Sequence, residues 1–110
     1  MNIPPGFTTL FPYIFASDPD DYLRFLETGL GGKIQRVDRA DDGKLRNAQI
    51  RFGDTTIMVS DASGWNEPTR ATYYLYVEDA DAAMAKAVKA GGVMRSAVKT
   101  PPPMEIVKAV

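Results

Sequence analysis

The chain has 110 residues, of which 45% are hydrophobic and 25% charged, which suits one globular domain and leaves no room for a second. Its net charge of -1 gives no field that attracts nucleic acid or a membrane surface, so neither partner is expected. It contains no Cys and no His, which excludes thiol nucleophiles, disulfides, imidazole bases and the usual zinc sites. An acid or base would have to be Asp, Glu, Lys or Tyr.

The N-terminal segment MNIPPGFTTLFPYIFASD has no basic start, and Pro12 interrupts its apolar run. This pattern predicts neither a signal peptide nor a membrane span. We therefore expect a soluble, cytoplasmic protein.

The first half of the chain is typical of a strand, a helix and three further strands. Residues 9–16 are rich in β-branched and aromatic side chains, which favours a strand. The segment SDPDDYLRFLETGLGG predicts a helix, with Ser17 or Asp18 as its cap, Pro19 in its first turn and a Gly-Gly pair at its end. Three strands are then predicted, separated by the turns ADDGK and GD, at residues 34–39, 45–52 and 55–60.

The second half begins in the same way. The run ATYYLYV at residues 71–77 predicts a strand, and EDADAAMAKAVKAGG predicts a helix capped by Asp79 and ended by a second Gly-Gly pair. Its predicted apolar face carries Ala80, Ala83, Met84, Ala87 and Val88. Aligning the two Gly-Gly pairs superposes the helix starts, which indicates an internal repeat of about sixty residues. The alternative is that two unrelated amphipathic helices both end in glycine, the ordinary helix terminator.

Strand alternation divides the side chains between two faces. One predicted face is aliphatic and suits helix packing, with Leu10, Ile14, Ala16, Ala48, Ile50, Phe52, Ile57, Val59, Tyr73, Leu75 and Val77. The other predicted face mixes aromatic rings with polar side chains. Its residues are Thr9, Phe11, Tyr13, Phe15, Asn47, Gln49, Arg51, Thr56, Met58, Ser60, Thr72, Tyr74 and Tyr76. Such a mixture favours a ligand pocket or a subunit interface. The alternative is a face that simply meets water.

The motifs, taken in order, resemble the vicinal-oxygen-chelate superfamily, which contains glyoxalase I, the bleomycin-resistance proteins and the extradiol dioxygenases. The segments SDPDDYLRFLETGLGGKI, RNAQIRFGDTTIMVSD and YYLYVEDADAAMAKAVKAGG carry this resemblance, which extends to about Lys99. They are most similar to the small bleomycin-resistance-like and glyoxalase-like members.

The resemblance implies an α+β fold of two βαβββ modules, with curved mixed sheets around a cavity that dimerisation often completes. Residues 1–110 would form one domain, with module one at about 7–61 and a truncated module two at about 70–110. After KTPPP only MEIVKAV remains, so the second module is expected to lack its last strand. We expect MEIVKAV to pair as a strand or to cross to a partner chain.

The resemblance also implies where a metal would bind in the enzymes of this superfamily. Three of the four ligand positions fall on Phe11, Met58 and Thr72, which do not bind the divalent metals in question. Only Glu105 lies near the fourth position. No metal and no cofactor are therefore expected.

Three functions remain open at this point. The preferred one is a metal-free, bleomycin-resistance-type protein that binds a small aromatic or planar ligand; the predicted contacts are Phe11, Tyr13, Asn47, Gln49, Arg51, Met58, Trp65, Thr72 and Tyr74. For Trp65, covering the sheet edge is as plausible a role as contacting a ligand.

The second function is that of a lyase, isomerase or dioxygenase of the same superfamily, using Glu105 with a metal, or Tyr13 or Asp61 as a base. The third is a homodimeric remnant without a ligand, in which a strand is exchanged between chains.

Overall fold

Six strands and two helices follow one another in the described residues of the computed structural model, which are 1–63, 66–96 and 105–107. In chain order they are β1 (Tyr13–Ala16), α1 (Pro19–Arg24), β2 (Lys33–Arg39), β3 (Leu45–Phe52), β4 (Thr55–Asp61), α2 (Ala80–Lys89), β5 (Val93–Ser96) and β6 (Glu105–Val107). A π-helical turn, Phe25–Gly29, continues α1. The chain is an α+β fold.

The first four strands form one mixed, open sheet in the order β1-β4-β3-β2. The strands β2, β3 and β4 are antiparallel neighbours, and β1 lies parallel to β4 with Tyr13 opposite Met58. A parallel pair needs a long connection, which here comprises α1, β2 and β3. The predicted β-α-β-β-β order of the first half is confirmed.

Both helices begin and end in the same way. The carboxylates of Asp18 and Asp79 each accept a hydrogen bond, 3.1 Å long, from the backbone N–H three residues later. At the other end Gly31 and Gly91 adopt φ values of +82° and +110°, which glycine reaches without a Cβ clash. The aspartate caps and Gly-Gly ends predicted from the sequence are confirmed.

The core lies between α1 and one face of the four-stranded sheet. Helix α1 and its π-helical turn contribute Tyr22, Leu23 and Leu26. The sheet contributes only aliphatic side chains, which are Ile14, Ala16, Leu45, Ala48, Ile50, Ile57 and Val59. Period-two alternation therefore places one apolar face of the sheet against the helix, and the opposite face carries the remaining side chains.

The first strand starts later than its composition predicts. Residues 9–12 form no strand, and Leu10, which was predicted on the apolar face, is 87% exposed. Two local features compete with the sheet. The Thr8 hydroxyl donates a 2.6 Å hydrogen bond to the Leu10 carbonyl, and Pro12 has no N–H to give to a ladder. The strand therefore begins at Tyr13.

Residues 71–77 keep most of the alternation of a strand, but within the described ranges they form none of its hydrogen bonds. Tyr73 is partly buried against the core, whereas Tyr74 and Tyr76 are 76% and 88% exposed. Val77, predicted on the apolar face, is also exposed. Among the described residues, the backbone of 71–77 takes part in no hydrogen bond. The strand predicted here is therefore absent from both sheets, although Tyr73, Tyr74 and Tyr76 have the inward and outward orientations expected of them.

One side-chain contact holds this segment to the helix. The Tyr22 hydroxyl donates a 2.8 Å hydrogen bond to the Tyr73 hydroxyl at the edge of the core. Burial raises the pKa of both phenols, and the hydrogen bond that Tyr22 donates raises its own pKa further. Just before the segment, the Thr69 backbone N–H donates to the Phe15 carbonyl at 2.9 Å.

The last part of the described chain is a two-stranded antiparallel sheet. Strand β6 pairs with β5, and Val93 lies opposite Val107. The expectation that MEIVKAV pairs as a strand is confirmed for Glu105–Val107, whose partner strand is in the same chain; the other residues of MEIVKAV lie outside the described ranges.

Helix α2 buries Met84 and Ala87, but Val88, which was predicted on its apolar face, is exposed. No helix in the described part of the chain is long and apolar enough to span a membrane.

Replacing Tyr73 by Phe removes the acceptor of the buried Tyr22 hydroxyl. We expect Tyr73→Phe to lower the free energy of unfolding by about 1–2 kcal/mol, as measured by urea denaturation.

The same contact predicts a loss of stability in alkali. Because the native phenols of Tyr22 and Tyr73 both have a pKa above the ordinary 10.0, the unfolded chain loses these protons first. The wild-type free energy of unfolding should therefore fall as the pH rises past about 10.

Tyr76→Phe, at an exposed ring, is the matched control and should change neither quantity. If the two variants have equal stability, and the same alkaline loss as wild type, the Tyr22–Tyr73 contact does not hold the segment.

Candidate functional site

The sheet face opposite the core carries a cluster of rings and polar groups on β1, β3 and β4. Tyr13 lies opposite Met58 across β1 and β4, and Met58 lies opposite Gln49 across β4 and β3. Phe15 and Ser60 are the corresponding pair two residues further along β1 and β4. Strand pairing therefore assembles this group from residues distant in sequence.

A directed chain of hydrogen bonds fixes the polar atoms of the cluster. Ser60 Oγ donates its proton to the Arg46 carbonyl at 2.6 Å, so the Tyr13 hydroxyl, 2.6 Å from Ser60 Oγ, must be the donor in that contact. The Asn47 side-chain amide approaches the Tyr13 oxygen at 3.4 Å and Met58 Sδ at 3.5 Å. The Tyr13 hydroxyl is thereby held in one orientation at the end of a half-exposed ring.

Two rings on β1 form an apolar surface beside these polar atoms. The centroids of Tyr13 and Phe15 are 4.9 Å apart, and their planes are inclined by 30°. Tyr13 is 41% exposed, and Phe15 is half-buried. Their exposed surface offers a planar molecule an area for stacking, which is a favourable contact for aromatic rings.

The two rings and Ser60 form one wall of an open cleft with a volume of about 320 Å³. This volume is at the lower end of the range for small-molecule sites. The other lining residues come from the β2–β3 connection, the start of β3, the end of β4 and the segment after it; they are Ala40, Asp42, Lys44, Leu45, Arg46, Asp61, Ser63 and Asn66. The cleft therefore combines an aromatic wall with charged and amide groups.

The N-terminal residues contact the opposite end of the same sheet face. A turn closed by the 3.1 Å hydrogen bond from Phe7 N–H to the Pro4 carbonyl brings Gly6 over β4, where Thr56 Oγ1 donates to the Gly6 carbonyl. A Cβ at Gly6 would lie 3.4 Å from Arg51 Nη1. The half-buried Phe11 packs on Phe7, with ring centroids 5.0 Å apart.

The structure brings together some of the predicted ligand contacts and separates others. Tyr13, Asn47, Gln49 and Met58 form one group, whereas Arg51 and Phe11 lie towards the N-terminal turn. Thr72 and Tyr74 are exposed on the segment 71–77 and make no hydrogen bond with this group. Trp65 lies outside the described residues.

Two contributors were not among the predicted ligand contacts. Alternation placed Phe15 and Ser60 on the correct face, but nothing in the sequence shows that Ser60 joins Tyr13 to the Arg46 carbonyl. That contact depends on the register between β3 and β4. The available sequence signal was only that Phe15 and Ser60 alternate onto the same face as Tyr13.

Two of the side chains that the resemblance places at metal positions, those of Phe11 and Met58, are not ligands of the divalent metals that these enzymes use. Met58 Sδ lies 3.5 Å from the Asn47 amide, and the Phe11 ring packs at a tilt of 55° against Phe7. Across the described ranges, no three Asp or Glu side chains lie close enough together to hold a metal ion. The side chain of Glu105 lies outside the described residues.

Solved structures from distant sources share this fold. A gene product of Arabidopsis thaliana matches with 22% identity and a TM-score of 0.61, over 86% of this chain and 79% of its own. TioX from Micromonospora sp. ML1 matches with 18% identity and a TM-score of 0.62, over 84% and 79%. A hypothetical protein from S. aureus matches with 23% identity and a TM-score of 0.62, over 84% and 77%. No family model and no curated protein matches the sequence. These likenesses establish the fold alone.

Removing the Ser60 hydroxyl should break the chain of hydrogen bonds at its centre. We expect Ser60→Ala to lower the free energy of unfolding by about 1–3 kcal/mol, because the Arg46 carbonyl and the Tyr13 hydroxyl both lose a partner. Urea denaturation measures the loss. Ser63→Ala, an exposed serine on the same cleft, is the control and should be near neutral; equal stability of the two variants would contradict the proposed role of Ser60.

Proposed function

We propose that the protein is a metal-free, small-molecule binding protein of the bleomycin-resistance type, which holds an aromatic or planar ligand against the ring-bearing face of its sheet. The observation that carries the proposal is the half-exposed Tyr13–Phe15 pair on the wall of the 320 Å³ cleft, next to hydroxyls held in fixed orientations. An apolar wall with a few positioned polar groups is the usual composition of a ligand site.

The chemistry of the cleft favours a ligand with a flat apolar part and a polar edge. Stacking on Tyr13 and Phe15 would contribute affinity, and exclusion of water from their faces would add to it. The Tyr13 hydroxyl, which lines the cleft, is preorganised by its contacts with Ser60 and with the Asn47 amide behind it, so little side-chain entropy is lost when a ligand binds. Gln49 continues the same row of side chains along β3.

The two-module architecture is part of this proposal. Matching aspartate caps and glycine ends on α1 and α2 support it, because a repeated module would repeat its helix boundaries. In the first module the helix is followed by three strands. In the second, the described residues after α2 contain β5 and β6 only.

We also propose that two copies associate through the segment 71–77. Its backbone has no hydrogen-bond partner in the described part of the chain, although its side chains alternate as in a strand. Tyr74 and Tyr76 project from it with ring centroids 5.1 Å apart, and both are largely exposed. Unpaired strand-like backbone beside exposed rings is a surface suited to pairing with another chain. A second copy supplies the same surface under two-fold symmetry, with or without strand exchange.

Loss of the Tyr13 ring should weaken ligand binding. With a panel of planar aromatic compounds, we expect wild-type protein to show saturable amide shifts at Tyr13, Asn47 and Ser60 in NMR titrations. Since one stacking contact is worth about 0.5–1.5 kcal/mol, Tyr13→Ser should raise the Kd of any bound compound by roughly 2- to 10-fold.

The control for this titration is Val88→Ser, an exposed position on α2 that should leave the Kd unchanged. A panel that produces no saturable shift at these amides would remove the main support for the proposal. So would a compound that binds Tyr13→Ser as tightly as wild type.

Association through the segment 71–77 should depend on its exposed rings. In sedimentation equilibrium at high micromolar concentration we expect a dimer, and the double variant Tyr74→Ser/Tyr76→Ser should raise the dimer Kd by about tenfold or more because its two interface rings are lost. Leu10→Ser, at a position as exposed as Tyr76, is the control. A wild-type monomer under these conditions would end the dimer proposal.

A further inference from the structure

A second cleft, with a volume of about 340 Å³, lies where β2 begins and β3 ends. Its lining residues are Gly31, Lys33, Gln35, Arg51 and Gly53. Two of the five are cations and none is an acid. The cleft shares no lining residue with the ring-bearing cleft described above.

The two cations face one another across neighbouring strands. Lys33 and Arg51 are register partners on the antiparallel strands β2 and β3, so their side chains leave the same face of the sheet. The Cβ atoms of such partners are about 4.5–5.5 Å apart, and side chains of like charge directly opposite one another are destabilising. The fold therefore maintains an electrostatically unfavourable pair at the wall of a cleft.

No described acid neutralises this pair. The ion pairs of the described residues are Arg24–Asp21, Arg39–Asp20 and Arg46–Asp38, and none of them includes a cation of the cleft. Asp54 follows Gly53 in the chain, but its carboxylate accepts a 3.5 Å hydrogen bond from the Thr55 hydroxyl and forms no ion pair with a described cation. A third cation is near, since Lys86 Nζ lies 3.6 Å from the position that a Cβ would take on Gly31.

The polar groups of the cleft are held in place by local contacts. Arg51 Nε donates a 2.7 Å hydrogen bond to the Gly53 carbonyl, which fixes the guanidinium and leaves its terminal N–H groups for other acceptors. The register of β2 shifts between Ile34 and Arg36, and such a bulge changes the direction of side chains near it. The Gln35 amide bonds back to the Lys33 carbonyl at 3.3 Å.

We propose that this cleft binds a compact oxyanion, the phosphate or carboxylate group of a small molecule, between Lys33 and Arg51. An oxyanion placed there would convert the like-charge repulsion into two attractive contacts. The Arg51 guanidinium presents planar donors that match phosphate and carboxylate oxygens, and Lys33 adds a flexible ammonium. The net charge of -1 for the whole chain does not oppose this, because the local field of the cleft is set by the cations that line it.

The site is independent of the proposed aromatic ligand. Along β3, Arg51 is four residues from Asn47, a separation of about 14 Å in an extended strand. A failure of planar compounds to bind near Tyr13 would leave the anion cleft untouched. Conversely, loss of anion binding in variants of Lys33 or Arg51 would leave the ring pair as it is.

NMR titration of the whole chain with inorganic pyrophosphate and with citrate tests the proposal. We expect saturable amide shifts at Gly31, Lys33 and Gly53 with at least one of the two, and the saturating anion identifies phosphate or carboxylate chemistry. Sodium chloride at equal ionic strength should not reproduce the shifts. The anion that binds should also raise the melting temperature, since it binds only the folded state.

Lys33→Gln and Arg51→Gln should each raise the Kd of that anion at least fivefold, while Lys89→Gln, at an exposed lysine on α2, should leave it unchanged. Lys33→Gln leaves the hydrogen bond between Arg51 and Gly53 intact. It therefore still tests anion binding if Arg51→Gln disturbs the turn between β3 and β4. Shifts that do not saturate with either anion, that sodium chloride reproduces, or that Lys89→Gln weakens as much as Lys33→Gln, would overturn the proposal.

Discussion

The packing of one aliphatic sheet face under helix α1 is the constraint on which the rest of the structure depends. Ile14, Ala48, Ile50 and Val59 have almost no exposed surface, and each sits between neighbours in the strand that point the other way. Because side chains alternate strictly, burying these four fixes which residues can form the opposite face. A shift of one residue in β3 would bury Asn47 and Gln49 and expose Ala48 and Ile50.

The opposite face contains two chemically different regions because different strands meet at its two ends. Tyr13 and Phe15 on β1 approach Ser60 on β4, which gives rings and oriented hydroxyls. Lys33 on β2 meets Arg51 on β3, which gives positive charge without a described counter-ion. Strand order thus separates an aromatic region from a cationic one on a single sheet.

Sequence periodicity predicts the parts of this fold that depend on local interactions. The bounds of β3 and the caps of both helices agree with expectation, because they follow from alternation and from hydrogen bonds within a few residues. The contact between Tyr13 and Ser60 could not be predicted, since it requires the register of a parallel pair 47 residues apart. The Lys33–Arg51 pair depends in the same way on register, and the nearby bulge has no sequence signature.

The segment 71–77 shows where alternation alone is insufficient. A period of two predicts which side chains face inwards, and Tyr73 does pack on the core, but pairing requires a neighbouring strand at the right distance. Beside β1, the Thr69 N–H donates to the Phe15 carbonyl, and the Thr69 hydroxyl accepts from the Phe15 N–H. Tyr22 then holds Tyr73 towards the helix. The segment therefore has a partly buried face fixed by side chains and, within the described part of the chain, a backbone without hydrogen-bond partners. Local alternation decides the first of these properties, and only long-range strand pairing could decide the second.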